Sequence, residues 1–188
     1  MMGKISISLR KSAWLLALLI ITSALPAHAQ DEEAVYIQEG QFKFDYSNDL
    51  NGYIISPNKD SGWKWDGNEP QLFIPSTRLL DGKPVVGLSG FGSLKYLDVI
   101  EFESPCHVKY ICDECFQYCT SLGSNVGLNL PETVETIGDY AFLGCTRLRN
   151  INFGSNSNLK SIGVSAFEEC ISLESITLPK SLKTAAFR

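Results

Sequence analysis

Three stretches of this chain superimpose when aligned on a phenylalanine: residues 111–122 (ICDECFQYCTSL), 137–148 (IGDYAFLGCTRL) and 162–173 (IGVSAFEECISL). Ile111, Phe116, Cys119 and Leu122 recur as Ile137, Phe142, Cys145 and Leu148, and again as Ile162, Phe167, Cys170 and Leu173. The steps between copies are 26 and 25 residues, and all four positions keep register. A period in this range marks a solenoid, whose coils bury their apolar sides only by stacking on neighbours. These twelve residues are therefore the expected repeat core. The fold class is a repeat solenoid, mostly β with short helical turns, built as a parallel strand ladder. Such a scaffold leaves its ligand to be written in the variable surface positions.

The remaining sequence divides around the repeats. Residues 1–29 read as a signal peptide: Lys4, Arg10 and Lys11 precede an apolar stretch from Ala13 to Ile21, and Ala27-His28-Ala29 forms a small-x-small cleavage site. Nine apolar residues fall far short of the roughly 20 that span a bilayer, so membrane insertion is not expected. The destination is secreted, periplasmic or cell-surface. A lipid anchor would need a cysteine at the cleavage point, and the first cysteine is Cys106. Removing the leader leaves 13 basic against 21 acidic residues, a balance of −8. That excess argues against nucleic acid as a partner, because binding it rewards a basic patch.

Residues 30–71 read as a small N-terminal β cap. Phe42, Phe44 and Tyr46 alternate with Lys43 and Asp45, and Asn51-Gly52 marks a turn, so residues 42–55 are predicted to form a hairpin. Residues 72–188 form the solenoid: a short first copy (Leu88, Phe91, Leu94), three clear copies and a truncated last one. The repeat has two extended parts: a Leu-x-x-Ile-x-Leu segment, best seen at Leu173, Ile176 and Leu178, and a Pro-x-x-Val/Leu-x-x-Ile segment, as at Pro131, Val134 and Ile137; the third copy lacks the Pro but keeps Leu159 and Ile162. Between them lies the Ala-Phe-x-x-Cys turn, predicted to be a short helical or 3₁₀ turn.

These motifs resemble the BspA-like leucine-rich repeat family of bacterial surface proteins. Ile176-Thr177-Leu178-Pro179, Ile137-Gly138, Ile162-Gly163, Ala141-Phe142 and Ala166-Phe167 carry the likeness over roughly residues 72–188. The resemblance implies a secreted or surface-displayed, non-enzymatic binding protein, in some members an adhesin for host matrix proteins. Departures are the short first copy and Cys112, which stands where the later copies have Gly138 and Gly163.

Four of the six cysteines fall between Cys106 and Cys119, beside His107. Cys112-Asp113-Glu114-Cys115 is a C-x-x-C, which is compatible with redox chemistry or half a zinc site. The repeat offers a simpler account. Cys119 is the counterpart of Cys145 and Cys170, and Cys115 takes the place of Ala141 and Ala166, as small buried hydrophobes do. A redox C-x-x-C also needs a helix N-terminus, and the sequence shows none here. No metal or cofactor is expected, and a metal or thiol protein on this cluster is the rival class. Among disulfides, Cys106–Cys112 is disfavoured: six extended residues span roughly 20 Å, whereas bridged Cα atoms lie about 4.4–6.8 Å apart. Cys112–Cys115 is geometrically allowed. The stacked cysteines should form a ladder of free thiols.

Catalysis finds little support. After cleavage His107 is the sole histidine, and the carboxylates are scattered over exposed repeat positions. Trp63 and Trp65 share one face of a strand. They would either close the first coil or form a carbohydrate platform. The expected partner is therefore a protein or a glycan. At the other end, Thr184-Ala185-Ala186-Phe187 reads as a copy with its Ile-Gly segment deleted. Leu178, Leu182 and Phe187 should line an uncapped end, with self-association through it as the expected consequence.

Overall fold

Alternating aromatic and polar residues after Gln41 produce the predicted strand. A computed structural model describes residues 40–58 and 70–186. Strand β1 (Phe42–Ser47) pairs antiparallel with β2 (Gly52–Pro57), and Asn51 takes a φ of 50° in the turn between them. Asparagine tolerates this left-handed conformation better than most residues. The hairpin does not stand apart. Strand β2 pairs in parallel with β4 (Val85–Leu88), and the same sheet continues through β6 (Tyr110–Ile111), β8 (Thr136–Ile137), β10 (Ser161–Ile162) and β11 (Thr184–Ala185). Leu88, Ile111, Ile137 and Ile162 hold one column of this ladder. Their side chains are buried.

The opposite side of each coil carries a second, interrupted ladder. Strand β3 (Gln71–Ile74) pairs in parallel with β5 (Val99–Phe102), and β7 (Leu128–Asn129) with β9 (Ile151–Asn152). No strand pairing joins β5 to β7 among the described residues. A three-residue insertion lies just before β7. The step from Leu122 to Leu128 is six residues, whereas the steps from Leu97 to Ile100 and from Leu148 to Ile151 are three.

Between the ladders run the phenylalanine turns. They contain no helix; each is a series of hydrogen-bonded turns, which corrects the expectation of short helical segments. The reason lies in how the amides are shared. Cys115, Gln117 and Cys119 donate to carbonyls three residues back in their own coil, while Glu114, Phe116 and Tyr118 donate to Asp139, Ala141 and Leu143 of the next. A helix would keep all of these bonds within the segment. The alternation is sustained by left-handed residues, φ 56° at Glu114 and 59° at Tyr118, repeated at Tyr140 and Gly144 and at Ser165 and Glu169.

The apolar interior is one column of rings. Phe91, Phe116, Phe142 and Phe167 stack with centroids 5.6, 5.6 and 5.4 Å apart. Phe42 of the hairpin meets Phe91 edge-on at 6.3 Å, closing the column from above. At the other end Phe167 and Leu173 are only partly buried, unlike Phe116, Phe142, Leu122 and Leu148. The expectation that all twelve repeat-core residues are buried alike is corrected for these two. Leu178 is exposed and Leu182 half-buried, and Phe187 lies outside the described residues.

The last rung also differs from expectation. Thr184 and Ala185 pair with Ser161 and Ile162, so Leu182-Lys183-Thr184-Ala185-Ala186 follows Leu159-Lys160-Ser161-Ile162-Gly163 residue for residue. The Ile-Gly segment is replaced by Ala-Ala rather than deleted. Glycine serves the earlier coils because their backbones approach closely: a Cβ at Gly138 would lie 2.6 Å from the Asp113 amide nitrogen, and one at Gly163 2.5 Å from that of Asp139.

Truncating a ring in the middle of the column opens a cavity with a neighbour on each side. Phe142→Ala should cost about 3–5 kcal/mol in urea unfolding. Phe167→Ala, at a partly solvated position, should cost clearly less, and equal losses would contradict this stacking order.

Candidate binding recess

The structure brings some of the sequence-predicted residues together and leaves others out. Trp63 and Trp65 lie outside the described residues. His107 is half-buried and makes no hydrogen bond to a cysteine among the described residues. All six cysteines are free, including the Cys112 and Cys115 pair. Among the described residues, no group of three or more His, Cys, Asp or Glu side chains is placed to hold a metal ion.

Polar side chains on the outer flank are mostly spent on one another. Glu135 pairs with Lys109 at 3.5 Å and with Lys160, bridging three successive coils. The Lys160 ammonium holds the Glu135 carboxyl below its usual range, and Lys109 adds to the effect. Asp113 accepts from the Asp139 amide at 2.8 Å, and Asp139 accepts from the Val164 amide at 2.7 Å. These contacts bind coil to coil.

One place on the flank is different. The insertion before β7 forms a loop, residues 123–127, that the carboxylate of Asp98 in the preceding coil holds in place. Asp98 Oδ1 accepts from the amide of Ser124 at 2.8 Å and from its hydroxyl at 3.0 Å, and Oδ2 accepts from the Asn125 amide group. The loop closes with Gly127 N–H donating to Gly123 at 3.2 Å. Both glycines are left-handed, and a Cβ on Gly127 would sit 1.8 Å from Asn150 Oδ1.

Against this loop the next coil sets Arg147 and Arg149, and the coil after it Ser172. Together with Ser124 and Asn125 they line an open recess of about 380 Å³. Leu148 is buried, whereas the arginines on either side of it are both exposed. Neither makes an ion pair with a described residue. Sequence reasoning passed over these five residues. The signal was the six-residue step from Leu122 to Leu128, masked because Leu128 to Ile137 is two residues shorter than Ile151 to Ile162.

Comparison with known proteins fits this geometry. The family model described as "BspA type Leucine rich repeat region (6 copies)" matches residues 109–187. Those residues are similar to BspA-type leucine-rich repeats. A leucine-rich repeat protein from Bacteroides ovatus has a similar structure, with a TM-score of 0.56 and 21% identity over 76% of this chain and 41% of that one. The leucine-rich repeat protein of T. pallidum aligns with a TM-score of 0.47 and 28% identity, over 77% of this chain and 51% of that one. The chain thus spans about half, or less, of either solved protein. No curated protein matches the sequence significantly.

In the BspA-type region the cysteine column has a role beyond filling space. The thiols of Cys119, Cys145 and Cys170 donate to the carbonyls of Phe91, Phe116 and Phe142, each in the coil before, at 3.3, 3.3 and 3.2 Å. Burial pushes the Cys119 thiol up to about 12 and raises Cys115 well above the ordinary thiol range. Cys145 is raised by its contact with Cys170 and by burial. Thiolate is the reactive form, so Cys115, Cys119 and Cys145 should be inert while the coils are stacked. In a timed alkylation of the native protein at pH 8, the half-buried Cys106 and Cys112 should label first. Cys115, Cys119 and Cys145 should label only on unfolding. Fast modification of Cys119 or Cys145 would contradict the buried ladder.

Proposed function

We propose that this is an exported, non-catalytic binding protein of the adhesion type, presenting the flank of its solenoid to a macromolecular ligand. The observation that carries the proposal is the division of labour within the BspA-type repeats. Phe, Cys and Leu positions are consumed by the core, and outward positions vary freely from coil to coil. Repeat scaffolds of this kind are typically interaction surfaces, because stacking fixes a large face without fixing its chemistry. No helix of the described residues is long and apolar enough to cross a membrane. The segment before Gln30 supports export, with cleavage after Ala29.

The mature chain, immobilised, should retain one or a few partners from a panel of host matrix proteins and glycans, saturably and without altering them. The exported form should begin at Gln30 on N-terminal sequencing. Turnover of a captured partner, or a chain that keeps residues 1–29 after export, would overturn the proposal. Capture of glycans that depends on Trp63 and Trp65 would move the ligand face to that pair.

A further inference from the structure

The proposed binding role leaves open which part of the flank meets the ligand and what chemistry it recognises. We propose that the recess formed by Ser124, Asn125, Arg147, Arg149 and Ser172 receives a carboxylate from an acidic segment of a protein partner. This inference rests on the binding function proposed above and adds a site and a ligand class to it.

The loop is preorganised. Asp98 fixes it through three hydrogen bonds, and its closure needs glycine at Gly123 and Gly127, where a Cβ would meet Leu148 and Asn150. A wall held in this way loses little entropy on binding. The insertion also breaks the repeat. The corresponding steps at Leu97, Leu148 and Leu173 have three residues, so the recess occurs at one level of the solenoid only. Insertions in repeat arrays fall on one face, often the binding face.

The charge is available. Lys109 and Lys160 are both paired with Glu135, and Arg78 lies over the rings of Phe44 and Tyr53. Arg147 and Arg149, by contrast, have no ion pair among the described residues, although Glu174 stands one coil on in the column of Arg149. The Asp98 carboxylate is committed to the loop. Two guanidiniums can grip a carboxylate through paired N–H donors. The Ser172 hydroxyl and the second N–H of the Asn125 amide, whose first is held by Asp98, supply further donors around the same space.

The rim favours a peptide over a sulfated sugar. Val126, next to Asn125, is 63% exposed, and Ile171, next to Ser172, is 82% exposed. Two bare aliphatic side chains beside a cationic recess match an acidic residue with an apolar neighbour in the same segment. No aromatic ring lines the recess for a sugar to stack on.

The test uses the mature chain and a fluorescein-labelled peptide of alternating Glu and Val, read by anisotropy. The comparisons are the same peptide with Gln for Glu, and a heparin-type sulfated oligosaccharide. Arg147 and Arg149 are both exposed, so the Arg147→Gln, Arg149→Gln double variant should fold, checked by its melting curve. Lys180→Gln, outside the recess, serves as a surface-charge control. The acidic peptide should bind, the Gln peptide should not, and the double variant should lose about tenfold or more in affinity while Lys180→Gln loses little. Equal binding by the double variant would overturn the site, as would a sulfated oligosaccharide that binds where the peptide does not. The same variants go into the matrix-protein panel. A partner captured equally by wild type and double variant would leave the binding function standing and remove the recess from it. Capture of nothing by either would fault the binding function itself.

Discussion

A coil of this solenoid cannot close its own turn, because every second amide along that turn finds its acceptor on the next coil. Glu114, Phe116 and Tyr118 give their protons to Asp139, Ala141 and Leu143, and Tyr140, Phe142 and Gly144 give theirs to Val164, Ala166 and Glu168. Buried amides without a partner are costly, so a lone coil would have to leave these bonds to water. The same stacking brings the phenylalanine rings to about 5.5 Å and lets each cysteine thiol reach the phenylalanine carbonyl of the coil before. Ring column, thiol column and amide exchange are three consequences of one contact.

That contact explains what could be read from residues alone. Phe, Cys and the Ile of the strand recur because each fills a fixed volume between two identical neighbours, and such positions admit few substitutes. The hairpin was legible because Asn51-Gly52 marks its turn and Phe42, Phe44 and Tyr46 alternate. Its part in the fold was not. Phe42 covers the exposed edge of the ring column, and β2 extends the parallel ladder, which only the three-dimensional register of Tyr53 against Val85 reveals.

Other features escaped for physical reasons of their own. Ala185 occupies an isoleucine position because backbone pairing to Ser161 and Ile162, not side-chain volume, holds that rung. The turns around Phe116 and Phe142 looked helical, since short steps of three residues suit a 3₁₀ segment. They are not helical because alternate amides point out of the coil. The recess was hidden by compensation: three residues gained before Leu128 and two lost after it almost restore the period. A repeat that keeps its length while redistributing it keeps its core and alters its surface. Beside it stand Arg147 and Arg149, which make no ion pair among the described residues, on a flank where Glu135 pairs with Lys109 and Lys160.

The central claim is that the coils stabilise one another in sequence order rather than each by itself. Hydrogen exchange on coil-sized peptides, comparing wild type with Phe142→Ala, tests it most directly. Stacking predicts that the substitution lowers protection in residues 137–148 and also in the coils on both sides, at Phe116 and at Ser165, with little change in the hairpin. Loss of protection confined to the substituted coil would contradict the account.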